Sequence, residues 1–247
     1  MGIFDFLSKK TKDDTPKRAS QRELQRLARL VGSKLSQNYD RQEAIESLAK
    51  MGTQESAGVL LKRFDWTLDP SITDQEEKEA ATRGIIAAGD AALEPIRDYC
   101  KRAESLTWPI KVLKQILDGP DLVDELLGVL DEFDTEYVRN SEPKVQLLNT
   151  LEEFPSPEVR EAVEPFLLDM SEPVRFAAVT TVFAMENTDS VGALVEAMAE
   201  EESLRVKNRI ASGLIEREWE VPGDKLETCR KALPEGFDLN GNKLRPA

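Results

Sequence analysis

The sequence predicts an all-α protein, and three observations support that prediction. Alanine and leucine are plentiful while aromatic residues make up 6% of the 247 residues, a composition that favours helices over a β-sandwich. Apolar residues recur at the spacing of one helix face. Signals that end helices return at intervals of similar length. Together these observations predict an α-solenoid of about six stacked helix pairs.

The apolar spacing is clearest in the second half of the chain. Six residues occupy positions that lie along one face of a helix; they are Val174, Ala177, Ala178, Thr181, Val182 and Met185. The next segment repeats the pattern with Val191, Leu194, Val195 and Met198. Since each helix pair exposes a broad apolar surface, neighbouring pairs must stack to bury it.

Local signals indicate where helices begin. A capping box is an acceptor residue followed three positions later by glutamate, and two segments have that spacing: Asp40 with Glu43, and Thr73 with Glu76. Pro157 and Pro173 suit a first helical turn, where the missing N–H of proline breaks no hydrogen bond.

Other signals indicate where helices end. Gly52, Gly89 and Asn187 are predicted to adopt the left-handed conformation that closes a helix. The first helices of successive pairs are predicted to end near Gly52, Gly89, Asp118, Phe154, Asn187 and Trp219. The steps between these ends are 37, 29, 36, 33 and 32 residues, which is the period of a helical solenoid.

These signals divide the chain into three zones. Residues 1–20 form a short apolar tip and a polar linker, residues 21–236 form the solenoid, and residues 237–247 form a C-terminal tail. The solenoid begins with a capping helix at about 21–36 whose leucines face inward. In the tail, Asn240-Gly241 is a signal for a two-residue hairpin.

The residues themselves resemble a known family. Ser171-Glu172-Pro173-Val174-Arg175-Phe176-Ala177-Ala178 is similar to the opening helix of a HEAT repeat, and Glu202-Ser203-Leu204-Arg205-Val206-Lys207 is a looser copy. The stretch from about 38 to 219, and residues 63–79 most of all, resembles a group of bacterial HEAT-repeat proteins without an assigned activity. The resemblance implies a right-handed superhelix of HEAT-like pairs.

The absence of histidine excludes several kinds of enzyme site. No Ser-His-Asp or Cys-His pair can form, nor can a zinc or iron site with a histidine ligand. Cys100 and Cys229 are far apart and predicted to be reduced and unreactive. We therefore predict a non-catalytic protein with no metal or cofactor. The alternative is an enzyme accessory factor, or a subunit similar to the HEAT-like lyases that attach chromophores.

Charge is distributed unevenly and indicates the kind of partner. Residues 1–37 carry a net charge of +5, while residues 119–204 hold four basic against 21 acidic residues, a net charge of −17. We call residues 119–204 the acidic block. Such a block attracts basic partners and repels nucleic acid. We predict a protein partner with a basic segment that binds Glu152, Glu153, Glu158 and Glu161; the alternative is an acidic surface that serves solubility alone.

Isolated residues of the solenoid are predicted to be structural. Arg160 and Arg175 follow valines near helix starts, where an arginine of a helical repeat pairs with an acidic residue of the neighbouring unit. The three tryptophans, Trp66, Trp108 and Trp219, lie at helix ends and are predicted to pack between repeats. Exposed tryptophan anchors for a partner are the alternative.

The N-terminal tip, residues 1–12, is the most unusual segment. Ile3, Phe4, Phe6 and Leu7 are too few to fold alone, and lysines at positions 9, 10 and 12 follow them. These apolar residues require a surface, either the solenoid or a partner, or the anionic inner face of a membrane, to which binding would be weak and reversible. We predict a cytoplasmic protein, with peripheral membrane contact as the alternative.

Overall fold

The structure, a computed structural model, describes residues 14–247, with side chains from residue 20 onward. It is predominantly helical, which confirms the predicted all-α class. The helices of the described residues are α1 Asp14–Val31, α2 Asn38–Met51, α3 Gln54–Leu61, α4 Ser71–Ala87, α5 Leu93–Cys100, α6 Thr107–Ile116, α7 Gly119–Leu130, α8 Glu142–Leu151, α9 Pro157–Val163, α10 Glu172–Ala184, α11 Val191–Glu200, α12 Leu204–Glu216 and α13 Leu226–Ala232.

Short 3-10 turns and one hairpin complete the described chain. The turns are Lys62–Asp65, Gly89–Ala92, Glu164–Leu168, Thr188–Ser190 and Gly223–Lys225. The strands are β1 Phe237–Asn240 and β2 Lys243–Pro246, which pair antiparallel. None of the helices in residues 14–247 is both long enough and apolar enough to cross a bilayer.

The predicted helix ends agree with the structure. Helices α2, α4, α6, α8, α10 and α12 each end within three residues of a predicted first-helix end. Gly52 and Gly89 have φ angles of 57° and 55°, the predicted left-handed conformation. The prediction for Asn187 was wrong, because Glu186, at φ 50°, is the left-handed residue. Asn187 instead caps the next 3-10 turn by accepting a hydrogen bond from the amide of Asp189.

The predicted helix starts are correct in part. Ser156 caps α9 by accepting from the amide of Val159, with Pro157 as the first helical residue. Both predicted capping boxes are wrong, because α2 begins at Asn38 and α4 at Ser71, ahead of the proposed cap residues. The helix α1 begins at Asp14, inside the segment predicted to be a linker.

Two compact units can be distinguished. The first contains the described residues up to 99 together with 111–116, and the second contains residues 100–110 and 117–247. In the first unit α2 packs against α1, α3 and α4, and α3 contacts both α1 and α4. Its core is aliphatic, formed by residues such as Leu27, Ile45, Leu48, Leu60 and Ile85.

In the second unit the largest contacts join helices that are two apart along the chain. Helix α8 contacts α7 and α10, α10 contacts α12, and α11 contacts α13. Helices α10 and α12 approach closely because Gly213 has no side chain: a Cβ there would lie 2.3 Å from the Phe183 ring. Trp219, which follows α12, packs on the same ring of α10 with the centroids 5.6 Å apart, so it has a packing role.

The C-terminal segment folds onto the second unit. Its hairpin contacts α12 through β2 and α13 through β1, with Leu239 and Leu244 buried. The two loop residues are Gly241 and Asn242, with Gly241 at φ 65°. The loop therefore begins one residue later than the predicted Asn240-Gly241 turn, and Gly241 occupies its first position instead of its second.

Candidate partner-binding surface

A groove of about 710 Å³ opens in the second unit. One wall is the C-terminal half of α7 with the loop that follows, and the other is α9 with its 3-10 turn. Apolar side chains form most of the lining, and exposed carboxylates belong to it as well. The lining residues are Leu127, Gly128, Leu130, Asp131, Phe133, Asp134, Thr135, Glu161, Ala162, Pro165 and Phe166.

The sequence of α7 explains why the groove stays open. Leu126 and Leu130 are buried, whereas Leu127 is half-buried and Gly128 exposed. A Cβ placed on Gly128 would meet no atom within 4 Å, so this helix position is left unfilled. After α7 the chain makes one further turn, in which Asp134 accepts a hydrogen bond from the amide of Glu136 at 3.1 Å. This turn places Asp131 and Asp134 beside the apolar wall.

A second depression, of about 330 Å³, adjoins the groove. Phe166 lines the groove and Leu167 lines the depression, and the amide of Met170 in the depression donates to the carbonyl oxygen of Thr135 in the groove at 3.0 Å. We call this second site the acidic depression. Its lining residues are Leu167, Leu168, Asp169, Met170, Arg175, Ala197, Glu200, Glu201 and Glu202.

A clamped ion pair forms one wall of the acidic depression. Arg175 donates to both carboxylate oxygens of Glu201, at 2.7 and 2.8 Å, and to the carbonyl oxygen of Asp169 at 2.8 Å. Burial alone would raise the pKa of Glu201, but hydrogen bonds from Arg175 and from the amide of Ser203 hold it below its usual range. Glu201 is thus committed to the fold, while Glu200 and Glu202 remain exposed. An acidic partner in a neighbouring helix pair was predicted for Arg175, but Glu201 directly follows α11, the next helix after α10.

A second, fully buried pair lies behind the same wall. The ammonium of Lys144 is 2.7 Å from the carboxylate of Asp169 and also donates to the carbonyl oxygen of Glu136. The other carboxylate oxygen of Asp169 accepts from the amide of Ser171 at 2.8 Å. Both side chains of the pair are at most 1% exposed, so neither is accessible to a partner.

Most of the basic residues of the acidic block therefore form ion pairs with acidic residues of the same block. Lys144 and Arg175 pair as described, and Arg160 pairs with Glu164 at 2.7 Å and Glu161 at 3.2 Å. Arg160 thus pairs with residues of its own helical segment, whereas a partner in a neighbouring helix pair was predicted. Three of the four basic residues of the block are engaged by carboxylates, so most of its surface acids keep their charge uncompensated by the block's own cations.

The four predicted partner-binding glutamates are all exposed, but they are not all in one place. Glu161 lines the groove. Glu158 lies in the first turn of α9, where hydrogen bonds from its own amide and from Ser156 lower its pKa. Glu152 and Glu153 follow the end of α8. The structure adds four carboxylates that the sequence did not single out: Asp131, Asp134, Glu200 and Glu202.

The first unit contains a buried network of charges that we call the ion cluster: Arg41, Arg63, Asp74, Glu77 and Lys78. Glu77 accepts from Arg41 at 2.9 Å and from Arg63 at 2.7 Å. Asp74 pairs with Arg63 at 2.7 Å and with Lys78 at 2.8 Å. The cluster lies in and around residues 63–79.

Trp66 covers the ion cluster. The centroid of its ring lies 3.9 Å from the guanidinium carbon of Arg63 and 5.4 Å from that of Arg41, and the face of an aromatic ring attracts cations at such distances. Arg63 also donates to the backbone carbonyl oxygen of Trp66 at 3.0 Å. The tryptophan is thus part of the packing of the first unit, which favours the structural interpretation of this residue over a partner anchor.

The two cysteines are free and buried. Burial, with a contribution from Glu125, raises the pKa of Cys100 to about 12. Burial raises the pKa of Cys229 to about 11 against the opposing charge of Arg230. Thiols of such high pKa are poor nucleophiles at neutral pH. Within residues 20–247, no three cysteine, aspartate or glutamate side chains are grouped to hold a metal ion.

The predicted anchor residues Ile3, Phe4, Phe6 and Leu7 lie outside the described residues. Comparison of the chain with models of protein families, with curated proteins and with solved structures finds no match. The resemblance to HEAT repeats therefore rests on the residues of the chain itself.

Proposed function

We propose that the chain is a non-catalytic scaffold or adaptor that binds a protein partner through the groove and the acidic depression. The groove offers apolar surface, and the acidic depression beside it offers the exposed carboxylates of Glu200 and Glu202, which form no ion pair within residues 20–247. A partner segment that combines apolar anchor residues with basic residues matches both features. The observation that carries this proposal is an apolar groove formed within the acidic block, with exposed carboxylates along it and beside it.

The helix arrangement supports a HEAT-like solenoid as the scaffold. We propose that α2 to α13 form six consecutive pairs, α2 with α3 through α12 with α13, wound as a right-handed superhelix. The contacts within each unit are consistent with this proposal, because helices two apart along the chain pack together: α2 with α4 in the first unit, and α8 with α10 and α10 with α12 in the second. Stacking of this kind gives a repeat protein an extended surface for a partner.

The experiment compares two glycine variants in affinity capture from the native cell. Gly128→Phe fills the groove, whereas Gly192→Phe places the same side chain on α11, outside both lining sets, where a Cβ also meets no atom within 4 Å. The proposal expects a partner that is captured by the wild type and by Gly192→Phe and that is lost with Gly128→Phe.

Salt provides the second measurement. Attraction between exposed charges is screened over about 8–10 Å near physiological ionic strength, so the captured partner should elute as salt rises. Capture that is equal for all three proteins, or elution that does not depend on salt, would contradict binding at this surface.

A further inference from the structure

The N-terminal tip carries the chemistry that the groove and the acidic depression lack. Four of its residues are large and apolar, namely Ile3, Phe4, Phe6 and Leu7, and three lysines follow them within five positions. The groove presents apolar side chains, and carboxylates stand along it and beside it. We call the groove and the acidic depression together the proposed binding surface, and we propose that it accepts the N-terminal tip of a second copy of this chain, so that the protein associates head to tail. This inference rests on the proposed function and names a partner for it.

The order of residues in the tip matches the order of the two sites. Phe4 and Phe6 are the anchors that fill the groove, beside Leu127 and Phe133. The lysines at positions 9, 10 and 12 then face Glu200 and Glu202, the exposed carboxylates of the acidic depression. An extended chain advances about 3.3–3.6 Å per residue, so these lysines follow Phe6 by roughly 10–20 Å. The two sites share a border at Phe166 and Leu167, so one short segment spans from the first site into the second.

Charge gives the contact its direction. Residues 1–37 carry +5 and the acidic block carries −17, so the beginning of one copy is attracted to the second unit of another. If two copies met through their basic regions, or through their acidic blocks, like charges would lie together and repel. The contact is heterologous, because the two copies use different surfaces, and each added copy leaves one free tip and one free groove.

The apolar side chains of the tip also need a surface that covers them. Ile3, Phe4, Phe6 and Leu7 are too short a run to form a stable helix in water. Exposed together they would form an apolar patch of the kind that soluble proteins seldom leave uncovered. Six residues separate Leu7 from α1, which begins at Asp14, and this is enough chain to present these side chains to another molecule.

The test uses the full-length chain and three variants in analytical ultracentrifugation over a dilution series. The wild type and Gly192→Phe should show a weight-average mass that rises with concentration. This rise should be lost in the double variant Phe4→Ser/Phe6→Ser, which removes the anchors, and in Gly128→Phe, which fills the groove. Raising the salt from 50 to 500 mM should weaken the wild-type association by about tenfold, since the charge attraction is screened.

Mixing the two defective variants gives the sharpest measurement. Gly128→Phe retains a normal tip, and Phe4→Ser/Phe6→Ser retains an open groove, so each supplies what the other lacks. The mixture should form one-to-one pairs that grow no further. A mixture that stays monomeric overturns the inference. Pairs that form in the mixture while the wild type stays monomeric at every concentration overturn it as well, because the tip then occupies the groove of its own chain.

Two further outcomes separate this inference from the proposed function and from membrane binding. If Gly128→Phe loses a cellular partner while no protein in the series self-associates, the groove binds a partner other than a second copy, and only the inference fails. If the wild type floats with vesicles of anionic lipid and Phe4→Ser/Phe6→Ser does not, while both stay monomeric, the tip binds lipid and the inference fails.

Discussion

The ion cluster of the first unit and the proposed binding surface of the second use charged residues in opposite ways. In the ion cluster, three cations enclose two carboxylates, and all four carboxylate oxygens accept hydrogen bonds. On the proposed binding surface, the cations pair deep in the wall and Glu200 and Glu202 remain outside. Charges that are matched and buried hold helices together. Charges left exposed beside an apolar groove are available to a partner.

The strongest test of this comparison removes the shared carboxylate of the ion cluster. Glu77→Ala leaves Arg41 and Arg63 buried without their common partner, and breaking a buried pair in this way destabilises a protein by about 3–5 kcal/mol. Glu46→Ala, at an exposed glutamate of α2 in the same unit, should change the free energy of unfolding by less than about 0.5 kcal/mol. Urea denaturation measures both, and equal effects would show that the cluster does not stabilise the unit.

Two glycines provide the next test, because one lies in a packed contact and the other in the open groove. Gly213→Ala places a Cβ 2.3 Å from the Phe183 ring and should destabilise the protein by about 1–3 kcal/mol. Gly128→Ala meets no atom and should stabilise α7 by about 0.5–1 kcal/mol. Gly213→Ala should cost less stability in a Phe183→Leu background than in the wild type, because the shorter leucine leaves room for the added Cβ. If the cost is the same in both backgrounds, the close approach of α10 and α12 is not the cause.

The pH dependence of stability tests the ion cluster a second time. Burial opposes the ionisation of Asp74, but hydrogen bonds from Lys78 and Arg63 hold its pKa below the usual value. A carboxyl group whose pKa is lower in the folded than in the unfolded chain stabilises the fold above the unfolded pKa, about 4 for aspartate. That contribution is lost as the pH falls through the folded pKa. The free energy of unfolding should therefore fall below pH 5 in the wild type and less steeply in Asp74→Asn, and parallel profiles would contradict this.

The helix order was predictable from the sequence because its signals are local. Gly52 and Gly89 end helices whatever surrounds them, and the apolar face of α10 is visible in the spacing from Val174 to Val182. The left-handed Glu186 was not predictable, since glutamate rarely takes this conformation and the adjacent Asn187 is the better candidate. The hairpin was predicted with an error of one residue, because Gly241 also suits the first loop position.

The proposed binding surface and the ion cluster were not predictable, because both depend on which helix faces meet. Leu127 has the composition of a core residue, and only the packing of α7 leaves it beside the groove. The charged residues Asp74, Glu77 and Lys78 look like an exposed face of α4, yet α2 and the turn after α3 cover them. Abundant acid in the block indicated a basic partner, but it did not show that Glu161 lies in the groove while Glu152 and Glu153 end another helix.

Charge reversal in the acidic depression is expected to change stability least among these variants and to weaken binding strongly. Glu200→Lys/Glu202→Lys reverses two exposed charges of the acidic depression without touching the pair of Arg175 and Glu201. Surface substitutions of this kind change the free energy of unfolding by less than about 0.5 kcal/mol. The same change replaces attraction for a basic segment with repulsion, so self-association and partner capture should weaken and should lose much of their dependence on salt. Glu46→Lys alters the charge of an exposed glutamate in the first unit and should leave binding unchanged apart from a small general effect of net charge. If Glu46→Lys weakens binding as much as the double variant does, the acidic block acts through its total charge, and the carboxylates of the acidic depression have no role of their own.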